Sequence, residues 1–125
     1  MEHVYRFKVV RLIKRKPGMT LAEFKEYWLN EHIKLEDGIV REKGRVKKIV
    51  ATFSTGRIRP PGATPPFDGM VELYFDRIDD FGKDDPSIME ALRKDEANFI
   101  DLSETPVNLT TEEYVLLDKT GKQSS

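Results

Sequence analysis

The sequence predicts an α+β fold with the element order strand, helix, strand, strand, helix, strand. Three observations carry that expectation. Segments 4–13, 45–54, 67–76 and 107–117 are rich in Val, Ile, Leu, Phe and Tyr at strand spacing. Between the first two, Thr20 and Glu23 form an S/T-x-x-E capping box, followed by apolar residues at helical spacing. Between the last two, Pro86 suits a first helical turn and precedes Ile88, Met89 and Leu92. This βαββαβ order is the ferredoxin-like pattern: a four-stranded antiparallel sheet with both helices on one face.

The first strand, Val4 to Ile13, places Tyr5, Phe7, Val9, Arg11 and Ile13 on one side and Val4, Arg6, Lys8, Val10 and Leu12 on the other. Both sides are substantially apolar, so both are expected to be covered. Pro17-Gly18 is a turn. The first helix is expected from Thr20 to Glu42, bent near Gly38 and ended by Gly44. Its apolar stripe runs Phe24, Trp28, His32, Leu35, Ile39. An imidazole thus stands where another leucine is expected.

Arg45 to Ser54 is the second strand. The connection after it holds four of the seven prolines, so it is neither helix nor central strand. Arg57 and Arg59 flank it and read as solvated loop charges. Phe67 to Asp76 is the third strand, with Val71, Leu73 and Phe75 opposite Met70, Glu72 and Tyr74. After the Pro86 helix, residues 95–102 are expected to continue as a short helical piece. The acids Asp95, Glu96 and Asp101 there lack the alternating spacing of a calcium loop and read as helix-surface and capping groups. The last strand is expected from Val107 to Leu117.

The 125 residues fit one domain, expected over 1–118, with 119–125 a disordered polar tail. A net charge of −1 gives no general attraction to nucleic acid or anionic membrane. The third strand is acidic where RNA-recognition domains need a basic-aromatic motif. The absence of cysteine excludes disulfides, thiolate nucleophiles and Cys-based metal sites. With His3 and His32 as the only histidines, no metal site is expected. The N-terminus lacks a signal-peptide run and no stretch approaches a membrane span, so a cytoplasmic location is expected. Helices cover one sheet face only, and an apolar second face of this size implies a partner. The economical one is a second copy, sheet against sheet.

Three motifs now resemble one known family. They are Lys14 to Thr20 leading through Phe24, Tyr27-Trp28 and His32; Phe67 to Asp76; and Asp95 to Asp101 with Glu112-Glu113 beyond. Together they are similar to the EthD-like proteins of the dimeric α+β barrel group. Ile33-Lys34-Leu35 replaces the small residue and proline frequent after the family's helix histidine, so the helix is expected to continue. The resemblance implies a ferredoxin-like protomer, a homodimer and a pocket between helices and sheet. It also implies a small hydrophobic aromatic, lactone or polyketide-like compound, handled without a cofactor by lyase, isomerase or oxidoreductase chemistry. The alternative is a non-catalytic dimeric ligand-binding or accessory protein for an oxygenase system. Some related barrels bind haem, and a Soret band would reveal haem on His32.

An imidazole titrates near pH 6.5 in model peptides, so His32 is the candidate general acid/base. The plainer alternative is a core histidine bonded to a sheet side chain. Asp68, before Gly69, is the candidate to orient the imidazole; its alternative is a turn residue. Trp28, Glu72 and Tyr74 are candidate substrate-binding residues. Plain core packing for Trp28, and an interface hydrogen bond or ion pair with Arg6, Lys8 or Lys48 for Glu72 and Tyr74, are their alternatives.

Overall fold

The computed structural model describes residues 5–41, 46–57, 61–63, 65–80, 85–103 and 107–121. The expected helix end at Glu42–Gly44, the loop position of Arg59 and the last four residues of the tail lie outside them.

Strand β1 (Tyr5–Ile13) leads through Pro17-Gly18 into α1 (Leu21–Tyr27), a π-helical turn (Trp28–His32) and α2 (Ile33–Arg41). Then come β2 (Val46–Phe53), β3 (Gly69–Phe75), a 3₁₀ turn (Ile78–Asp80), α3 (Pro86–Glu96) and β4 (Val107–Tyr114). The sheet order is β2-β3-β1-β4, every neighbouring pair antiparallel. This is the ferredoxin-like α+β topology expected from the element order.

Local chemistry starts each helix. The Glu23 amide donates to Thr20 Oγ1 at 3.1 Å while the Thr20 amide donates to Glu23 Oε1 at 2.9 Å. Asp85 caps α3 through the Ser87 amide at 2.8 Å, with Pro86 in the first turn. The first helix departs from expectation in its middle. At Ile33 the amide donates to the Trp28 carbonyl five residues back, the signature of a π turn. The irregularity lies there rather than at Gly38, which α2 carries in its interior. β4 ends at Tyr114, where its pairing with Tyr5 ends, and Val115 to Leu117 continue outside the strand, exposed.

Helices cover one sheet face and build two adjoining apolar clusters. Ile13, Phe24, Trp28, Val71, Phe99 and Ile100 form one; Val9, Val46, Phe75 and Leu92 form the other. Phe24, Trp28 and Phe99 are the largest fully buried side chains, and their rings meet at centroid distances of 5.7 to 5.9 Å. After α3 the chain does not extend as helix to residue 102. It turns at Ala97 and bridges back to β1's extension, with Lys16 donating to the Phe99 carbonyl and Asp101 to the Lys14 carbonyl, both at 2.9 Å. That clamp fixes the last turn of α3 beside the π turn.

Candidate active site

A cleft of about 340 Å³ lies between the helices and the sheet. All four strands, the π turn, α2 and α3 contribute, among them Arg11 from β1, Trp28 and His32 from the π turn, Glu36 from α2, Ile49 from β2, Glu96 from α3 and Asn108 from β4. The walls are mostly aliphatic and aromatic, and the polar groups are few. This is the composition of a small-molecule site.

His32 is 5% exposed and lies against Phe99, ring centroids 4.7 Å apart. Its Nδ1 meets Asp95 Oδ2 at 2.7 Å. Asp95 also accepts from the Tyr27 hydroxyl at 2.6 Å and from Asn98 Nδ2 at 3.1 Å, both on Oδ1. Burial pushes the Asp95 carboxyl up, but the hydrogen bonds from Tyr27, His32 and Asn98 outweigh it and hold the carboxyl below its ordinary range. An ionised carboxylate only accepts, so Nδ1 carries a proton and Nε2 is the nitrogen left to accept one.

Glu36 follows one turn later. It is 8% exposed, and Trp28 Nε1 donates to its Oε1 at 2.7 Å. Burial pushes its carboxyl up, with Glu96 adding to the shift; His32 and the Trp28 bond oppose it. Arg11 and Glu96 form a bidentate pair on the cleft wall, the second bond 3.2 Å from Nη2 to Oε1. Arg11 Nε is buried and takes no hydrogen-bond partner among the described residues.

Not all sequence candidates converge here. Asp68 stands at the corner where β1 and β3 begin to pair, accepting from the Arg15 amide at 2.8 Å and Arg15 Nη1 at 2.9 Å. The carboxylate on His32 is Asp95, so the reading of Asp95 and Glu96 as surface groups is corrected. Both turn inward, whereas Asp101 does cap the turn at Ser103, 2.9 Å from its amide. Trp28 lines the cleft as well as packing in the core. Glu72 and Tyr74 lie on the opposite sheet face. There Lys8 Nζ bridges Glu72, at 2.5 Å, and Glu113, at 2.8 Å, while Tyr74 donates to Glu113 at 3.0 Å. Burial works against the Lys8 charge, but the two carboxylates outweigh it and raise its pKa. Sequence reasoning passed over Glu36, whose alignment with Phe24, Trp28 and His32 depends on the π turn.

Fold and cleft define a class, a ferredoxin-like α+β protein with a buried His–Asp pair in a cleft under its helices. Residues 16–103 match the EthD domain, and the chain belongs to that family. It is 29% identical to a conidial pigment biosynthesis dehydratase EthD of Metarhizium robertsii, over 76% of this chain and 74% of that one. A solved EthD family protein of Bacillus halodurans is 21% identical, with a TM-score of 0.63 over 86% of this chain and 98% of that one. A dimeric protein of ferredoxin-like fold from Bacteroides fragilis is 18% identical, with a TM-score of 0.55 over 88% and 96% of the two chains. Among the described residues no helix is long and apolar enough to cross a membrane.

Proposed function

We propose that this EthD-family chain is an acid–base enzyme acting on a small hydrophobic aromatic, lactone or polyketide-like compound, with His32 as general acid/base. One observation carries the reading: His32 lines the cleft while an ionised Asp95, itself held by Tyr27 and Asn98, fixes Nδ1. That arrangement holds an imidazole in one tautomer with Nε2 available, as general-base catalysis needs. Trp28 and the apolar walls hold the body of the substrate. The dehydratase name of the Metarhizium relative favours elimination of water, a reaction that side-chain proton transfer supports. Asp68 acts at a distance in this reading, by tying Arg15 and the start of the Ile100 bridge into place.

A homodimer is part of the proposal. The sheet face opposite the helices carries exposed Val107 and Leu109 with half-buried Val10, Leu12, Val50 and Met70. Glu72 and Tyr74 sit amid that surface and would meet the second sheet.

The test is turnover of aromatic lactones and polyketide-like hydroxy ketones by His32→Ala. A single acid–base group contributes roughly 10²- to 10⁴-fold, and a loss of that size is expected. A folded His32→Ala protein with full turnover sinks the proposal. The mostly apolar wall favours one other reading, ligand binding without chemistry. It predicts affinity for the same compounds, little affected by pH, and no product.

A further inference from the structure

Glu36 is a buried acid that the tautomer argument for His32 does not use. It lies four residues beyond His32 on the same helical face and lines the same cleft. Trp28 occupies Oε1, and Oε2 takes no hydrogen bond from any described residue. The charged and titratable groups around it come from several elements. His32 shares its face, Glu96 projects from α3 and Arg11 from β1, and these two pair with each other. Asp37 and Lys48 share with Glu36 a second depression beside β2. Among the described residues no cation is paired with Glu36 within the cleft, which Arg93 of α3 also lines, and a carboxylate, Glu96, faces it. Burial in that setting favours the neutral acid.

The cleft therefore holds two unlike proton-handling groups, one turn apart and on one side of whatever occupies it. His32 Nε2 is placed to accept a proton, and Glu36, in its protonated form, to donate one. The floor adds a third group. Arg11 lines the same cleft, and the Glu96 pair fixes its guanidinium.

We propose that Glu36 is the proton donor that complements His32, and that the cleft takes a β-hydroxy carbonyl compound with an apolar body, its carbonyl oxygen toward the Arg11 guanidinium. The proposal rests on the reading of His32 as the acid/base group. His32 Nε2 takes the proton from the carbon next to the carbonyl, and the electron pair of that C–H bond forms the new C=C bond. The C–O bond at the β carbon breaks, its pair leaving on oxygen, and the Glu36 proton completes a water molecule. His32 is then protonated and Glu36 ionised. Return of one proton from His32 to Glu36 restores both, with nothing oxidised or reduced. The Arg11 guanidinium charge on the cleft wall stabilises the negative charge that develops on the carbonyl oxygen. Acid and base on one face make this a syn elimination.

The test uses the full chain and a plain member of the class, the aldol of benzaldehyde with acetone. Its dehydration gives benzylideneacetone, a conjugated enone followed by ultraviolet absorbance. Glu36→Gln keeps an acceptor for Trp28, so the fold is retained. We expect kcat to fall by about 10²- to 10⁴-fold with KM little changed, the alkaline limb of the pH profile to disappear, and Glu36→Asp to restore part of the rate. A second readout needs no substrate. Trp28 is the sole tryptophan, so its emission reports ionisation of the carboxyl it touches. That titration is expected above the ordinary Glu value of about 4.3 and absent in Glu36→Gln. Wild-type kcat and pH profile in Glu36→Gln would overturn the donor role while leaving His32 standing. A Trp28 titration at or below the ordinary Glu value would overturn it too. Full turnover by His32→Gln would bring down the reading beneath it, and a wild type inert toward the aldol would remove the substrate class.

Discussion

Asp95→Asn isolates what charge does at the centre of the site, because the amide nearly matches the carboxylate in shape. Asp95 gathers donors from Tyr27 at 2.6 Å, His32 at 2.7 Å and Asn98 at 3.1 Å. An amide has one acceptor oxygen, and its NH₂ then faces a donor, so at least one hydrogen bond to a charged acceptor is lost. Such bonds contribute about 1.5–3 kcal/mol, and the site is sheltered enough for that range to apply. We expect a stability loss of about 2 kcal/mol at pH 7, read by urea denaturation, and a melting temperature lower by roughly 6–10 °C for a chain of this length. The pH dependence has a definite sign. The folded carboxyl titrates below the unfolded value of about 3.9. Its stabilisation is fully present above that value and is lost as pH falls through the folded one. The gap between wild type and variant should persist at pH 5 and close only below about pH 4. On the proposed function, kcat falls by about 10²- to 10⁴-fold as His32 loses its fixed tautomer. A variant as stable as wild type at pH 7, or a gap already closed at pH 5, would refute the reasoning.

Two further perturbations probe the scaffold. A Cβ at Gly69 would lie 3.1 Å from Phe24 Cε2 and 3.3 Å from the Thr52 carbonyl oxygen, so Gly69→Ala should cost about 1–3 kcal/mol in a urea melt; an unchanged midpoint would count against the packing. Leu109 is 53% exposed on the open sheet face, so Leu109→Asp should convert a dimer to a monomer in gel filtration without harming the fold. A wild type that elutes as a monomer at micromolar concentration would remove the sheet-face dimer.

What the sequence shows and hides follows from the range of each interaction. The capping box at Thr20 and the proline start of α3 were legible because each is settled within four residues. The sheet was legible because alternation in Val71, Leu73 and Phe75 against Met70, Glu72 and Tyr74 reports two faces, and the helices cover the first. His32 was legible as an inward polar residue on an apolar stripe. Its partner was not. Asp68 stands beside an Asp-Gly turn and looked available, but the Arg15 amide and guanidinium hold it. Asp95 lies 63 residues from His32 and reaches it only because the Phe99–Lys16 and Asp101–Lys14 bonds fold the end of α3 back onto β1. Nothing local to Asp95 announces that clamp.

The π turn explains why Glu36 escaped a helical count. An α-helix advances 100° per residue, so twelve residues carry position 36 about 120° away from position 24. On an unbroken helix Phe24 and Glu36 would therefore face different ways, and Leu35 and Ile39 would continue the stripe. The wider turn at Trp28–His32 absorbs the drift, keeping Phe24, Trp28, His32 and Glu36 in line and all four buried. A π turn is less favourable than the α turn it replaces, and this one places a carboxyl among aromatics, which burial also opposes. Trp28 returns one hydrogen bond to that carboxyl. Among the described residues no second hydrogen bond to the carboxyl offsets the remaining cost. A role for the Glu36 proton in the cleft gives the local strain and the buried acid a single cause.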